Sequence, residues 1–213
     1  MSFQLISQPK TIFWDFDGVI KDSIEVKTQA FVKLFASSGT EVAKRVCEHH
    51  LANGGMSRFD KLPIYLQWAG ENPSPPRVSE CCGQFGQMVL QGVVDAPWVP
   101  GAETYLRVNP HQQMFVLVSA TPQDELEQIL QALNLTGCFM GIFGAPIRKQ
   151  DAIRMMITEH GLDASACLMI GDARADLEAA EANQIQFMLR RHETNAKVFA
   201  GYTGPSVKEF TAL

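Results

Sequence analysis

The sequence predicts an α/β protein in which a parallel sheet carries helices on both faces and a helical domain is inserted after the first strand. The first observation is that apolar, strand-like runs alternate with segments of helical periodicity from Pro97 onwards, as in proteins built from βα units. The second is that a strand-like run beginning at Thr11 is followed by a long block, Lys21 to Asp95, of helical pattern without strand-like runs. The block is therefore predicted to be an insertion into the sheet-forming part of the chain.

The helical block and the alternating part meet at Pro97–Gly101, whose prolines and glycine are typical of a boundary. We expect residues 1–20 and 97–213 to form the α/β core and residues 21–96 to form a helical cap. Ser57 is a suitable N-cap for one of the cap helices. Apolar spacing predicts four of them: Ser23–Phe35, Glu41–Leu51, a helix from Ser57 onwards, and Val78–Val94.

The alternating part should supply the other strands of the sheet and the helices that cover it. Pro122 suits the first position of a helix, where its missing N–H is harmless. The polar tail from about His192 to Leu213 is expected to pack on the core as short helices. The predicted strands are Met114–Val118, Phe139–Phe143, Cys167–Ile170 and Ile185–Leu189, and the predicted helices are Ala102–Val108, Pro122–Leu133, Lys149–His160 and Ala173–Ala182.

Length and composition limit the possible functions. The 213 residues suffice for one large domain or for a core with a smaller insertion. The net charge of −5 argues against a broad nucleic-acid surface but is compatible with a local basic pocket for a small anion. The five cysteines are odd in number and lack metal-ligand spacing, which favours reduced thiols and a cytoplasmic protein. No apolar run reaches membrane-spanning length, and the start lacks the pattern of a signal peptide.

Two aspartates, Asp15 and Asp17, end the first predicted strand and are followed at once by Gly18. Alternate residues of a strand lie on the same face, and glycine permits the unusual backbone of a tight turn. Two carboxylates this close repel each other unless a cation lies between them, and Mg²⁺ prefers such hard oxygen ligands. The stretch therefore favours a magnesium site over a strand end with two solvated acids.

Ligands bind beyond the carboxyl ends of the strands in open parallel sheets, and polar residues occupy four such positions in this chain. They are the Asp15–Asp17 pair, Ser119–Ala120, Lys149, and Asp172 with Asp176. The last three positions each have an ordinary explanation when taken alone, namely a helix cap, a solvated lysine, and capping or exposed helical acids. Their coincidence at strand ends favours one common site, with charges suited to phosphoryl transfer.

The stretch Asp15–Ser23 resembles the first motif of the haloacid dehalogenase-like superfamily, and Gly171–Asp172 followed by Asp176 resembles the fourth. Ser119 and Lys149 fit the second and third motifs. The resemblance covers nearly the whole chain. It implies a Rossmann-like parallel core with an inserted helical cap, in the phosphatase branch that includes phosphoglycolate phosphatases and β-phosphoglucomutases.

The resemblance also implies catalytic roles. Asp15 would attack phosphorus and become an aspartyl phosphate, and Asp17 would protonate the leaving alcohol and then deprotonate the hydrolytic water. Lys149 would balance charge between the nucleophile and the phosphate. Dehalogenases of the family lack the second aspartate, and phosphonate-cleaving members usually carry a smaller residue there. Asp17 therefore favours phosphate esters as substrates over both other classes.

The same resemblance implies a cofactor and a phosphate site. Ser119, with the N–H of Ala120, would hold phosphate oxygens, although Ala120–Thr121 replaces an asparagine that often follows this serine in the family. The cofactor would be Mg²⁺. Its implied ligands are Asp15, the backbone carbonyl of Asp17, Asp172, and Asp176 either directly or through waters.

Substrate choice is expected to depend on the cap. Gly54–Lys61 resembles the substrate-specificity loop of the family, in which glycines permit close approach and a basic side chain faces the active site. Arg58 is the first candidate for that side chain and Lys61 the second; exposed helical charge is the alternative for both. His49 and His50 precede this loop, and neither is assigned a role.

The sequence therefore favours a magnesium-dependent phosphatase acting on a small phosphorylated metabolite, with a sugar phosphate as the expected substrate. A phosphomutase of the β-phosphoglucomutase type, whose cap basic residues resemble these, is an alternative. It requires an aspartyl phosphate that outlives reorientation of the substrate. A non-catalytic binding protein on the same scaffold is a second alternative, against which the complete set of acids and Lys149 argues. A small-molecule phosphate ester is the expected partner, and the sequence does not address the oligomeric state.

Overall fold

The computed structural model describes residues 2–211, so residues 1, 212 and 213 of the predicted core lie outside it. Its central feature is a sheet of six strands in the order β3-β2-β1-β4-β5-β6. All neighbouring strands pair in parallel, which confirms the predicted α/β class. The strands are β1 Thr11–Trp14, β2 Met114–Pro122, β3 Gly141–Ala145, β4 Cys167–Gly171, β5 Gln186–Arg190 and β6 Ser206–Val207.

Helices cover the sheet, and a further group of helices is inserted after β1 in chain order. Four consecutive helices, α2 to α5, pack on one another and form the helical insertion that the sequence predicts. We refer to these four helices as the cap; the domain limits at residues 21 and 96 remain a prediction. The helices are α1 Ser2–Ser7, α2 Ile24–Leu34, α3 Thr40–Ala52, α4 Arg58–Trp68, α5 Pro75–Asp95, α6 Ala102–Val108, α7 Gln123–Ala132, α8 Lys149–His160 and α9 Arg174–Ala182.

Strand β1 lies in the middle of the sheet and is buried on both faces, as its continuous apolar run predicts. Its side chains alternate between two apolar clusters because the period of a strand is two residues. Trp14 belongs to a cluster that includes Leu126 of α7, and Phe13 belongs to a cluster that includes Ile153 of α8. This burial holds β1 in place, and so determines the position of Asp15 directly after it.

Most predicted elements are present with ends shifted by a few residues, but Pro122 was assigned wrongly. Strand β2 continues beyond Val118, and Pro122 pairs with Ala145 of β3 after an irregularity in the register. Pro122 has a ψ of 143° and precedes the first helical residue, Gln123. The missing N–H of proline is harmless both at a strand end and at a helix start, so the residue type alone does not distinguish the two positions.

The prediction of short helices for the tail was wrong for most of its described part. Helical structure there is limited to the 3₁₀ turn Glu193–Asn195, whereas Ser206–Val207 forms β6. The N–H groups of Leu189 and Arg191 donate to the carbonyls of Pro205 and Val207, so the tail extends the sheet. A strand of two residues is too short to produce a recognisable alternation of apolar and polar side chains.

Among residues 2–211, no helix has both the length and the apolar character that crossing a membrane would require.

Candidate active site

The carboxyl ends of the central strands and the cap line a cleft that is partly open to solvent. Asp15, Ala120, Lys149 and Asp172 contribute to its core side. Their convergence follows from the parallel sheet, because β1, β2 and β4 are neighbours and end at the same edge. Ser119 is buried beside this cleft and lines an adjoining one together with Ala120 and Lys149.

Asp15 is the first residue after β1. Its N–H donates to the carbonyl of Ile170 in β4 at 3.0 Å, which continues the sheet hydrogen bonding for one residue. Its side chain is only 4% exposed and lies 2.8 Å from the Nζ of Lys149. Burial raises the pKa of Asp15 well above its usual value, and the charges of Asp176 and Asp172 raise it further against the opposing effect of Lys149.

Carboxylate oxygens of Asp15, Asp172 and Asp176 lie within 4.8 Å of one another, and all three residues are buried. Burial, followed by the charge of Asp176, raises the pKa of Asp172 to about 7. Gly18 makes this crowding possible, because a Cβ atom there would lie 2.5 Å from an oxygen of Asp172. Its φ of +74° also favours glycine. A cluster of buried, mutually repelling hard oxygen ligands has the chemistry of a site for Mg²⁺.

Both carboxylate oxygens of Asp176 accept hydrogen bonds from other groups of the protein. One oxygen accepts the N–H groups of Asp172 and Ala173 at 3.0 and 2.9 Å, and the other accepts the Nζ of Lys149 at 2.5 Å. These contacts fix the loop between β4 and α9. They leave Asp176 less suited to direct metal coordination than to a contribution through waters, the two possibilities that the sequence leaves open, and they also position Asp172 and Lys149.

Lys149 begins α8 and lies between two acids. It is 7% exposed and contacts both Asp15 and Asp176. Burial by itself would lower the pKa of Lys149, but the charges and hydrogen bonds of the two acids outweigh it and raise the pKa. The lysine is therefore a fixed positive charge next to Asp15.

Asp17 contacts residues of both the core and the cap. Its side chain accepts hydrogen bonds from Ser23 at 2.6 Å, from Lys27 of α2 at 2.5 Å, and from Thr121 at 3.2 Å. Burial opposes ionisation, but the charge of Lys27 and these hydrogen bonds outweigh it and lower the pKa of Asp17. Asp17 is thus held ionised, and its contact with α2 joins the cap to the catalytic edge of the sheet.

The two basic residues predicted for substrate recognition have different surroundings. Arg58 begins α4 and makes two hydrogen bonds to Glu125 of α7, at 2.8 and 2.6 Å. Lys61, one turn further along, is 2% exposed and lies 2.9 Å from the Nδ1 of His50. Both line the cleft, but the charge of Arg58 is neutralised by the acid of the core.

Several residues at this site were not identified from the sequence. Lys27 lies one helical turn before the buried Phe31, so the sequence places a lysine on the apolar face of α2. That placement is the signal from which Lys27 could have been identified. Glu125 and His192 carry no local signal, because their roles depend on contacts with distant parts of the chain. His192 belongs to the tail, for which the sequence predicted no functional residue, and its Nε2 lies 2.8 Å from a carboxylate oxygen of Asp172.

Comparison with known proteins finds relatives that share most of their length with this chain. A phosphoglycolate phosphatase from Aliivibrio fischeri is 21% identical over 181 residues, covering 81% of this chain and 80% of that protein. The solved structure of β-phosphoglucomutase from Clostridium difficile matches with a TM-score of 0.76 and 19% identity, covering 96% and 93% of the two chains. A putative phosphoglycolate phosphatase from Lactobacillus plantarum matches with a TM-score of 0.75 and 14% identity, covering 96% and 97%.

Structural matches at this level of identity establish the fold, including the inserted helical cap. The family is established by the model of the haloacid dehalogenase-like hydrolases, which matches residues 9–183 and therefore spans all four of the motifs named from the sequence. The chain belongs to the haloacid dehalogenase-like hydrolase family.

Proposed function

We propose that the protein is a magnesium-dependent phosphatase that hydrolyses a small phosphorylated metabolite, with a sugar phosphate as the expected substrate. The observation that carries the proposal is the position of Asp15, a buried carboxylate held between Lys149 and the acids of the β4–α9 loop. We also propose that the protein is cytoplasmic, that its partner is a small-molecule phosphate ester, and that it does not bind nucleic acid.

Asp15 is the proposed nucleophile. One of its oxygens attacks phosphorus opposite the leaving oxygen, the bond between phosphorus and that oxygen breaks, and an aspartyl phosphate forms. Lys149, 2.8 Å from Asp15, offsets the negative charge that gathers as the phosphate approaches a carboxylate. Ser119 and the N–H of Ala120, at the end of β2, are the proposed contacts for the phosphate oxygens.

Asp17 is the proposed acid and base. It gives a proton to the leaving alcohol and later takes one from the water that attacks the aspartyl phosphate, so each turnover returns the proton to Asp17. The contact with Lys27 favours the ionised form, which is the form needed as a base. Binding of the substrate must weaken that contact before Asp17 can act as the acid, and a phosphate oxygen is a suitable new partner for Lys27.

Mg²⁺ is the proposed cofactor, and the donor set of buried carboxylates fits it. Asp15, Asp172 and the backbone carbonyl of Asp17 would hold it, with Asp176 orienting its surroundings. When bound, the ion would neutralise charge on the transferred phosphoryl group. In the cap, Arg58 and Lys61 are the proposed substrate residues, Arg58 mainly through closure of the cap onto Glu125.

A phosphomutase remains the second candidate, because one of the structural neighbours is a β-phosphoglucomutase. It differs from a phosphatase in that it retains the phosphoryl group and needs a bisphosphate for activation. Release of inorganic phosphate from a monoester without added bisphosphate supports the phosphatase, and isomerisation without phosphate release would support the mutase.

The test is phosphate release from an aryl phosphate and from a panel of metabolite phosphates that includes 2-phosphoglycolate, with and without Mg²⁺. We expect turnover only with the metal, and a loss of about 10³-fold or more in Asp15→Asn, because the nucleophile is removed. Asp151→Asn, which changes an exposed acid on α8, is the matched control and should retain activity. Unchanged hydrolysis in Asp15→Asn would show that the proposed nucleophile is wrong.

A further inference from the structure

The tail after β5 returns to the acid cluster and contacts Asp172 at two points. The Nε2 of His192 lies 2.8 Å from the Oδ2 of Asp172, and the Nδ2 of Asn195 donates to the backbone carbonyl of Asp172 at 2.9 Å. The side chain of His192 is 12% exposed and lines the cleft. Neither residue has a role in the chemistry proposed above, yet both hold an acid that is a proposed ligand of the metal.

The side-chain amide of Asn195 fixes the position of His192 relative to Asp172. In addition to its bond to Asp172, its Nδ2 donates to the carbonyl of Arg190 at 2.8 Å, and its Oδ1 accepts the N–H of His192 at 3.1 Å. Asn195 is itself buried. One buried amide therefore joins the end of β5 and the backbones of His192 and Asp172, so the imidazole ring and the carboxylate are held at a defined separation.

The two contacts of the imidazole ring define which nitrogen carries the proton. An ionised carboxylate only accepts hydrogen bonds, so the Nε2 that faces Asp172 must be the donor. The Nδ1 lies 2.7 Å from the Oγ1 of Thr194, whose hydroxyl can donate to it. A neutral imidazole with its proton on Nε2 satisfies both contacts. His192 is therefore a hydrogen-bond donor to Asp172, and its Nε2 is not free to bind a metal.

The oxygen of Asp172 that accepts this hydrogen bond is also confined by the turn after β1. A Cβ atom on Gly18 would lie 2.5 Å from the same Oδ2 atom. Oδ2 is thus placed between the N–H of His192 and the backbone of Gly18. A carboxylate with one oxygen engaged in this way offers its other oxygen, Oδ1, to a cation.

We propose that His192 is a positioning residue that holds Asp172 as a ligand through one oxygen and thereby makes the metal site select Mg²⁺ over Ca²⁺. Mg²⁺ requires a nearly ideal octahedron of oxygens, whereas the larger Ca²⁺ accepts more ligands and binds carboxylates through one oxygen or both. A carboxylate limited to one oxygen therefore favours Mg²⁺. The inference rests on the proposed magnesium-dependent function and specifies how that function selects its cofactor.

The experiment measures the dissociation constants of Mg²⁺ and Ca²⁺ without substrate, from the melting temperature at increasing metal concentration. We expect His192→Leu to weaken Mg²⁺ binding by about 10-fold, as is typical when a partner of a metal ligand is lost. Ca²⁺ binding should change by less than about threefold, because Ca²⁺ can use the released oxygen of Asp172. A merely structural role would change both constants equally, and equal changes or unchanged constants would overturn the proposal.

Two amide variants identify the hydrogen bond as the cause. The amide N–H of His192→Gln can reach the position of Nε2, so both dissociation constants should stay within about threefold of those of the unchanged protein. His192→Asn carries the same amide on a shorter side chain and should lose selectivity as His192→Leu does. His160→Leu, which changes an exposed histidine at the end of α8, is the control and should retain both constants. Equal selectivity in His192→Gln and His192→Asn would overturn the assignment, also where His192→Leu does not fold.

Phosphate release measured on the same proteins separates this inference from the proposed function. If the unchanged protein hydrolyses no ester but its metal selectivity depends on His192, the phosphatase proposal fails and the role of His192 stands. If esters are hydrolysed while the ratio of the two dissociation constants is the same in all variants, the phosphatase proposal stands and the role of His192 is wrong. Absence of Mg²⁺ binding to the unchanged protein would overturn both.

Discussion

Gly18 shows how one residue without a side chain determines the geometry of the site. It combines a φ of +74° with a close approach of Asp172, whose carboxylate oxygen would lie 2.5 Å from a Cβ atom. The positive φ would strain only the backbone of another residue, whereas the close approach would press its side chain against the acid cluster. A substitution at Gly18 therefore tests whether the turn after Asp17 and the predicted metal site depend on each other.

We expect Gly18→Ala to reduce the free energy of unfolding by at least about 2 kcal/mol more than Gly161→Ala does, because overpacking is added to backbone strain. Gly161 is the matched control, since it has a φ of +59° and nothing within 4 Å of its Cβ position. Denaturant unfolding measures both variants. Equal losses would show that the contacts with Asp172 and with the Cδ1 of Ile24 at 2.8 Å relax freely and do not constrain the turn.

Residue patterns predicted some parts of the site and missed others for a physical reason. Asp15, Lys149 and Asp172 follow or adjoin recognisable elements, so the parallel topology brings them together once the strands are assigned. His192 and Glu125 reach the site through contacts with residues far away in the chain. No local spacing encodes such contacts, and a short motif therefore could not reveal them.

An ion pair between Arg58 and Glu125 joins helices α4 and α7. The guanidinium of Arg58 lies 4.4 Å from the ring of Phe85 and forms two hydrogen bonds to Glu125, with side chains only 5% and 12% exposed. Gly86 of α5 leaves room for the pair, since a Cβ atom there would lie 3.0 Å from the carboxylate. The pair therefore connects three helices, of which one belongs to the core.

We expect Glu125→Gln to reduce the free energy of unfolding by about 3 kcal/mol, because the buried charge of Arg58 loses its partner. The matched control is Glu103→Gln at the pair with Arg107, whose side chains are 39–40% exposed and where the loss should stay below about 0.5 kcal/mol.

The double variant Arg58→Met with Glu125→Leu checks the cause of that loss. It should recover much of the stability, because no unpaired charge remains. Denaturant unfolding gives all of these values. A loss in Glu125→Gln no larger than in the surface control would contradict the buried pair.

Element types were easier to predict than element limits. The cap helices have apolar residues at helical spacing, and the central strands are continuous apolar runs. Ser57 caps α4 as predicted and accepts the N–H of Phe59 at 3.3 Å. The end of β2 and the edge strand β6 depend on pairing with neighbouring strands rather than on composition. Pairing partners come from distant positions in the sequence, which explains why the errors are concentrated there.

At the scale of the whole molecule, the acid cluster is a source of instability that a cation should relieve. Asp15 follows β1 and Asp172 follows β4, so their repulsion acts directly on the centre of the sheet. Burial and neighbouring charges raise the pKa of both carboxyl groups, which means that their ionised forms are disfavoured in the folded protein. A ligand that binds these ionised groups only in the folded state should stabilise the entire fold.

We expect Mg²⁺ at ten times its dissociation constant to stabilise the protein by about 1.4 kcal/mol, and hence to raise the melting temperature by about 3–5 °C. Asp172→Asn should abolish the shift. Without metal at neutral pH or above, this variant should be at least as stable as the unchanged protein, since its neutral amide removes repulsion. NaCl at equal ionic strength is the control. A shift that persists in Asp172→Asn would contradict the proposed metal site.

The sequence by itself determined the class of the fold, the family, and the acids and lysine at the strand ends, because apolar periodicity and short motifs are local properties. The tertiary structure decided which basic residues of the cap are paired with an acid. Arg58 is neutralised by Glu125, while Lys61 lies 2.9 Å from the Nδ1 of His50 in the same cleft. The reason is that pairing of charges depends on distance in space, and residues 58 and 125 are brought together only when the cap packs on the core.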